Sequence, residues 1–402
     1  KSTIPTKTMK TLSAIAIAGD AVVSLIPMLM NGKAPLALYI HIPFCTKKCR
    51  YCSFYTIPYK SESVSLYCNA VIQEGLRKLA PIQETHFIET VFFGGGTPSL
   101  VSPLDLKRIL KELAPHAREI TLEANPENLT VSYLRQLQET PINRISVGVQ
   151  TFDDSILQLL GRTHSSSAAI TALQECQNHG FSNLSIDLIY GLPTQSLEIF
   201  LSDLHQALTL PITHISLYNL TIDPHTSFYK HRKILVPTIA QEEILAEMSL
   251  LAENLLLSQG FQRYELASYA KPDYPAKHNL YYWTDRPFLG LGVSASQYLH
   301  GERSKNYSHI SHYLRAVRKN LPTQETSEIL PKKERIKEAL ALRLRLLEGA
   351  DLAEFPSTLI SMLTQDVKLQ NLFSVHGQCL ALNRQGRLFH DTIAEEIMGY
   401  SF

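Results

Sequence analysis

The run Tyr39-Ile-His-Ile-Pro-Phe-Cys-Thr-Lys-Lys-Cys-Arg-Tyr-Cys-Ser-Phe54 decides how this chain is read. It opens in a short apolar stretch, a strand candidate over Ala37–Ile42, and then places Cys45, Cys49 and Cys52 at C-x3-C-x2-C spacing just beyond it. Three thiols on one loop fit around a cubane iron–sulfur cluster, which usually takes four thiolates. Three protein ligands leave one iron open, and an open iron can bind a small molecule. The competing reading is a structural zinc site. Zinc normally wants four ligands, commonly as two separated pairs; Cys68 lies inside a helical pattern, and no second C-x2-C or H-x3-H follows.

Outward from this run, short β-branched segments alternate with longer amphipathic ones. Strand candidates are Ala37–Ile42, Glu89–Phe93, Glu119–Glu123, Arg144–Val149, Leu184–Tyr190 and Thr213–Tyr218, with helical patterns such as Val64–Ala80, Pro103–Leu113, Ser132–Glu139, Ser166–His179 and Leu197–Thr209 between them. Such alternation predicts βα units and a parallel sheet. Unusual residues follow successive strands: the cysteines, then Gly94-Gly95-Gly96-Thr97-Pro98, Glu123, Gln150, and Asp187 within the fifth. A barrel mouth distributes special residues this way, whereas an open doubly wound sheet would use mainly two neighbouring loops. The fold expected is therefore α/β, a partial (β/α)6 TIM-like barrel.

Beyond Tyr218 the pattern changes. Gln241–Gln259 predicts a long helix and Tyr264–Tyr269 a strand; residues 266–328 are an aromatic-rich segment. From Pro331 on, the strong helix Lys332–Leu347 precedes a hairpin signal at Leu372–Val375 and Leu380–Asn383, near Arg384-Gln385-Gly386. Helices followed by a small hairpin suggest a C-terminal α+β, winged-helix-like domain over 329–402. The barrel core is expected over 34–265 and an N-terminal extension, expected to be poorly structured, over 1–33. Thr11–Met30 has the look of a signal peptide or membrane anchor, but Asp20, Gly19 and Pro27 interrupt it and the chain does not begin with Met, so a poorly structured extension, with Met28 and Met30 as candidate starts behind it, is the expectation. No other segment is apolar enough to span a bilayer.

Bulk composition agrees. The 402 residues exceed one ordinary core. With 38 Lys plus Arg against 37 Asp plus Glu, the chain carries no electrostatic footprint for nucleic acid. Six cysteines, three of them clustered, point to metal binding in a reducing compartment, the cytoplasm, rather than to a disulfide scaffold.

Each single residue has a plain reading beside the chemical one. Gly94–Pro98 reads as a tight turn on its own. Glu123 has a plain reading as a surface carboxylate, and Arg162 as one half of a helix ion pair. Asp187 between Ile186 and Leu188 is harder to dismiss, because an unpaired charge in an apolar strand is costly.

The cysteine run with Tyr51 before its last Cys resembles the radical S-adenosylmethionine (SAM) superfamily, whose open iron holds the amino and carboxylate groups of SAM and whose fold is a partial (β/α)6 barrel. The run Tyr39–Phe54, the Gly94–Pro98 turn, Glu123-Ala-Asn-Pro126, Ser146-Val-Gly-Val-Gln150, Leu160-Gly-Arg162 and Ile186–Pro193 resemble, more closely, the group containing anaerobic coproporphyrinogen III oxidase and the haem chaperone HemW. The resemblance covers roughly residues 36–400. It implies Cys45, Cys49 and Cys52 as ligands of a [4Fe–4S] cluster. It implies SAM contacts at Tyr39, Tyr51, Gly95, Gly96, Thr97, Glu123, Gln150, Arg162 and Asp187. Gly290–Ala295 resembles a family turn near the adenosine, and the C-terminal segment a HemN-type domain.

Two departures separate the chain from the oxidases. These carry a further Cys where Phe54 stands, and an N-terminal arm that the first 30 residues do not resemble. His278-Asn279-Leu-Tyr-Tyr282-Trp283 matches an HNxxYW motif of the chaperones; read without the resemblance, His278 is a hydrogen-bonded surface His. The implied function is haem chaperoning: a cluster, SAM and haem, with a haem-acceptor protein and an electron donor protein as partners. Haem contacts would fall on His278, Asn279, Tyr282 and Trp283. The alternatives are a true oxidase, decarboxylating porphyrinogen propionates to vinyls, and a zinc-stabilised binding module. No catalytic residue is assigned.

Overall fold

The computed structural model describes residues 32–402, so the extension expected before the barrel lies almost wholly outside the described residues. Six parallel strands follow one another in chain order across one sheet: β1 (Ala34–Ile42), β2 (His86–Gly95), β3 (Glu119–Ala124), β4 (Arg144–Gln150), β5 (Leu184–Tyr190) and β6 (His214–Asn219). Helices α1 (Ser61–Leu79), α2 (Pro103–Leu113), α3 (Val131–Leu137), α4 (Asp154–Leu160), α5 (Ser166–Asn178) and α6 (Leu197–Leu208) alternate with them. This is the partial (β/α)6 barrel.

The strands form because both of their faces are covered; β4 is buried along its whole length. The helices start where the sequence offers a cap. Side-chain oxygens of Ser102, Thr130, Asp153, Ser165 and Ser196 accept from backbone N–H groups three residues on, at the starts of α2 to α6. Those caps sit in or beside the loops at the carboxyl ends of the strands, so the same short-range chemistry that begins a helix also shapes the barrel mouth.

The aromatic-rich segment joins the same sheet. β7 (Gln262–Glu265) and β8 (Ser268–Ala270) add antiparallel beyond β6. At the other side β9 (Phe288–Leu291) pairs parallel with β1, and β10 (Ser296–Leu299), β11 (Glu302–Asn306) and β12 (Gln324–Ile329) continue antiparallel. The order is β12-β11-β10-β9-β1-β2-β3-β4-β5-β6-β8-β7. The single strand expected over Tyr264–Tyr269 is two antiparallel strands, with a register shift between Ser268 and Tyr269.

Glu74 of α1 holds the β9–β12 side in place. This fully buried carboxylate accepts from Gly292 N (2.8 Å), Asn306 Nδ2 (2.7 Å), Tyr313 Oη (2.8 Å) and Thr323 Oγ1 (2.7 Å), and pairs with Lys78 Nζ at 2.9 Å. Five donors satisfy the charge, which is the condition for burying it. Gly292, at φ +94°, stands where an added Cβ would meet the Tyr67 hydroxyl at 2.4 Å. The Gly290–Ala295 turn thus packs on α1.

Helix α7 (Glu242–Ser258) lies over the β6 side, and α8 (Lys277–Trp283) arises within the aromatic-rich segment. The C-terminal module has its own apolar core, from Leu340 to Ile397, built by α9 (Lys332–Arg343), α10 (Ser357–Gln365), α11 (His390–Gly399) and a three-stranded sheet. Its hairpin, Phe373–His376 with Cys379–Leu382, turns at Gly377, φ +62°. Arg384–Gly386 instead leads into a single helical turn over Gly386–Phe389. Among the described residues no helix is long and apolar enough to cross a membrane.

Candidate functional site

The cavity at the carboxyl ends of the strands collects most of the residues that the sequence singled out. Cys45, Cys49, Cys52, Tyr51, Gly95, Gly96, Thr97, Glu123, Gln150, Arg162 and Asp187 all line it, around about 730 Å³ of empty space open to solvent. Tyr39 is not in this lining. Its ring stacks on Phe92 at 6.3 Å and its hydroxyl is hydrogen bonded with His41 Nδ1 at 3.0 Å.

The cysteine loop is set by backbone pairing. Phe44 and Cys45 pair in parallel with Ile57 and Pro58, which closes the loop at its base. The glycine turn docks against the same stem: Gly96 N donates to Ile42 O at 2.7 Å and Thr97 N to Phe44 O at 2.8 Å. A Cβ on Gly96 would stand 2.7 Å from Phe44 O, and Gly95 holds φ +113°, so both positions need glycine. Gly95 N donates to Glu123 Oε2 at 3.1 Å. The three amide N–H groups of Gly95, Gly96 and Thr97 are therefore engaged within the chain, and Thr97 O accepts from Leu100 N at 3.0 Å.

Thr97 Oγ1 lies 3.5 Å from Cys45 Sγ, and Arg162 Nη1 donates to Cys49 Sγ at 3.6 Å. Arg162 Nη2 donates to Gly148 O (2.7 Å) and Asn125 Oδ1 (2.8 Å), while its buried Nε has no partner. Gln150 ends β4 at φ +72°, next to a register shift against β5. Such strain in a non-glycine residue at a strand end is a recurrent mark of binding sites.

The electrostatics favour a cationic guest. Burial pushes Glu123 up to about 8, and Asp187 adds to the rise. Burial likewise lifts Asp187 to about 6, against hydrogen bonds from Ser216 and Ser146. Two carboxylates desolvated side by side gain from a positive charge placed between them. Burial also raises Cys45 and takes Cys52 up to about 11, so neither thiol ionises readily without a metal to hold the thiolate. Among the described residues no three His, Cys, Asp or Glu side chains stand close enough to share one metal ion. The three thiols instead edge a cavity, a donor set suited to a larger cluster, with a cation-seeking pocket beside it. This chain therefore fits a cluster and SAM better than the single structural zinc of the binding-module reading.

Asn125 and Ser146 also line the cavity and were not singled out. The signal was present: both lie inside runs already quoted, Glu123-Ala-Asn-Pro126 and Ser146-Val-Gly-Val-Gln150.

The tetrad His278, Asn279, Tyr282 and Trp283 is elsewhere. Glu119, at the amino end of β3, caps α8 by accepting from Lys277 N (3.0 Å) and His278 N (2.9 Å). His278 is fully buried; Nδ1 is hydrogen bonded with Thr90 Oγ1 at 2.9 Å and Nε2 with Tyr282 Oη at 2.8 Å. Burial pushes it down to about 3, so it stays neutral. Neither ring nitrogen is left for an iron, and the surface His of the plain reading is not found either. Tyr282 packs edge-on to Phe288 at 4.7 Å, and Trp283 lies under the Arg345 guanidinium at 4.2 Å. Asn279 is half-buried beside them. This helix braces the amino end of the barrel, where residues serve stability.

Residues 39–207 match the radical SAM superfamily. A heme chaperone HemW of Lactococcus lactis subsp. lactis is 34% identical over 328 residues, 80% of this chain and 84% of that protein. The heme chaperone HemW of Bacillus subtilis is 32% identical over 378 residues, 90% of this chain and 98% of that protein. The chain belongs to the HemW family. Within the solved structures, Escherichia coli coproporphyrinogen III oxidase HemN, a radical SAM enzyme, shares the fold: TM-score 0.79 at 23% identity, covering 92% of this chain and 91% of that one. The fold is thus shared with HemN, while sequence similarity assigns the chain to HemW.

Proposed function

We propose that this chain is a haem carrier built on a radical SAM scaffold: it binds a [4Fe–4S] cluster on Cys45, Cys49 and Cys52, SAM in the adjoining cavity, and haem, which it passes to an acceptor protein. The observation that carries this reading is the shared cavity, in which three thiols adjoin two desolvated carboxylates and a buried arginine with an unpartnered Nε. The name heme chaperone, borne by relatives that align over most of their length, supplies the haem.

A bound cluster would accept an electron from a donor protein and offer an open iron to SAM. The chain's own residues prepare the place. Asp187 and Glu123 face the positive charge and the ribose; Gly95 and Gly96 present backbone oxygens and Thr97 its hydroxyl; Tyr51, Gln150 and Arg162 close the sides. Tyr39 acts from behind, through His41 and Phe92. An oxygen-labile cluster suits the cytoplasm.

The test is one anaerobic preparation of the full chain. Reconstitution gives about four iron per chain, haem titration gives a saturable complex, and an apo-haem protein withdraws the haem. One zinc with no iron would refute the scaffold. Conversion of coproporphyrinogen to protoporphyrinogen with SAM and a reductant would replace the carrier with an oxidase.

A further inference from the structure

A second cavity, about 1520 Å³ of empty space open to solvent, lies between the β6 side of the barrel, α7 and the C-terminal module. Arg263, Arg345 and Arg387 line it, from β7, from the turn after α9 and from the turn before α11. Two carboxylates answer them: Glu253 pairs with Arg263 at 2.9 Å and with Arg387 at 3.1 Å, and Glu265 pairs with Arg345 at 3.3 Å. Glu253 and Glu265 stand outside the lining, and the acids within it, Glu242 and Asp391, are exposed. Three lining guanidiniums thus share two carboxylates from beside the cavity. The same wall presents Tyr218, Leu388 and Phe389 with 44%, 42% and 47% of their surface exposed. Apolar side chains of this size are ordinarily covered, and their exposure in one concave place marks a binding surface.

A guest that satisfies both features is flat, largely apolar and carries carboxylates. Arginine is the residue that best matches a carboxylate, through paired N–H donors, and it also stacks on flat rings. We infer that this cavity is the haem site, with the propionate carboxylates on Arg387 and Arg345 and the macrocycle against Tyr218, Leu388 and Phe389. The inference rests on the haem-carrier reading and moves the haem away from His278. It also gives the C-terminal module a task. Arg387, Leu388 and Phe389 belong to that module, while Tyr218 belongs to the barrel, so haem is held between the two.

The experiment titrates the cluster-loaded full chain with haem and with haem dimethyl ester, in which both propionates are blocked. The native chain binds haem about tenfold more tightly than the ester, the worth of one charge-assisted hydrogen bond. Arg387→Gln leaves Glu253 its bond to Arg263 and lowers haem affinity about tenfold while the ester is little affected. Leu388→Glu, at an exposed position that folding tolerates, repels the propionates and gives the same pattern. Iron content reports that each variant is folded. Variants that keep the native preference for the free acid overturn this placement and leave the haem-carrier reading standing. A native chain that binds neither compound overturns both.

Discussion

The cysteine cavity and helix α8 are built from similar materials, carboxylates, aromatic rings and desolvated side chains, yet they differ in what remains open. In the cavity, Arg162 Nε lacks a partner, two carboxylates are raised by burial, and three thiols end at empty space. In α8, both nitrogens of His278, the hydroxyl of Tyr281 and the first amides of the helix are satisfied inside the chain, and the Trp283 indole Nε1, under the Arg345 guanidinium, is buried without a hydrogen-bond partner. Buried polar groups are normally paired, so an open cavity that joins an unpartnered guanidinium nitrogen to desolvated carboxylates and thiols is where a ligand completes the structure. A histidine whose two ring nitrogens are already paired is a brace, whatever its residue type suggests.

Four experiments probe that contrast. The largest effect belongs to the thiols. Replacing Cys45, Cys49 or Cys52 by Ser removes the cluster, and iron falls from about four per chain to near zero; retention of full iron in any one variant would exclude that cysteine. Next is the brace. His278→Ala opens a cavity and strands the hydroxyls of Thr90 and Tyr282, costing about 3 kcal/mol in urea unfolding. Haem affinity stays within about twofold of native, and a large loss of haem at unchanged stability would reverse the roles of the two regions.

A smaller effect is expected from Asp187→Asn, which keeps the shape of the cavity and removes a charge. SAM binding to the cluster-loaded chain weakens about thirtyfold by equilibrium dialysis; unaltered affinity would take Asp187 out of the site.

The smallest effect is one of pH. Burial holds Glu123 near 8 in the folded chain, whereas its ordinary value is 4.5. Between those values the folded state binds more protons than the unfolded one, so the stability of the cofactor-free protein falls as pH rises. Glu123→Gln removes this loss. The variant gains about 1 kcal/mol relative to native between pH 6 and pH 7, read from urea midpoints, and a difference independent of pH would mean that Glu123 ionises normally.

Much of the barrel was legible because its units are local. Strand and helix patterns alternate, N-caps sit where Ser, Thr and Asp precede amphipathic runs, and the cysteine spacing is a short-range property of one loop. The short runs that carry Asn125 beside Glu123 and Ser146 beside Gln150 were equally available. Less legible was everything that depends on distant partners. The Tyr264–Tyr269 run looks like one strand, and only its antiparallel fold-back beside β6 divides it. Tyr39 carries no local sign that its hydroxyl turns to His41.

By itself the sequence determined the βα rhythm, the cluster-binding spacing and the membership of a family, since each rests on residues close along the chain or on similarity spread over most of it. Tertiary structure alone decided which groups are left unsatisfied. His278 is closed by Thr90, 188 residues away, and by the caps from Glu119. Arg263, Arg345 and Arg387 meet because the C-terminal module folds back onto the open side of the barrel. Hydrogen bonding and desolvation depend on distance in space, so no local pattern could separate the brace from the sites.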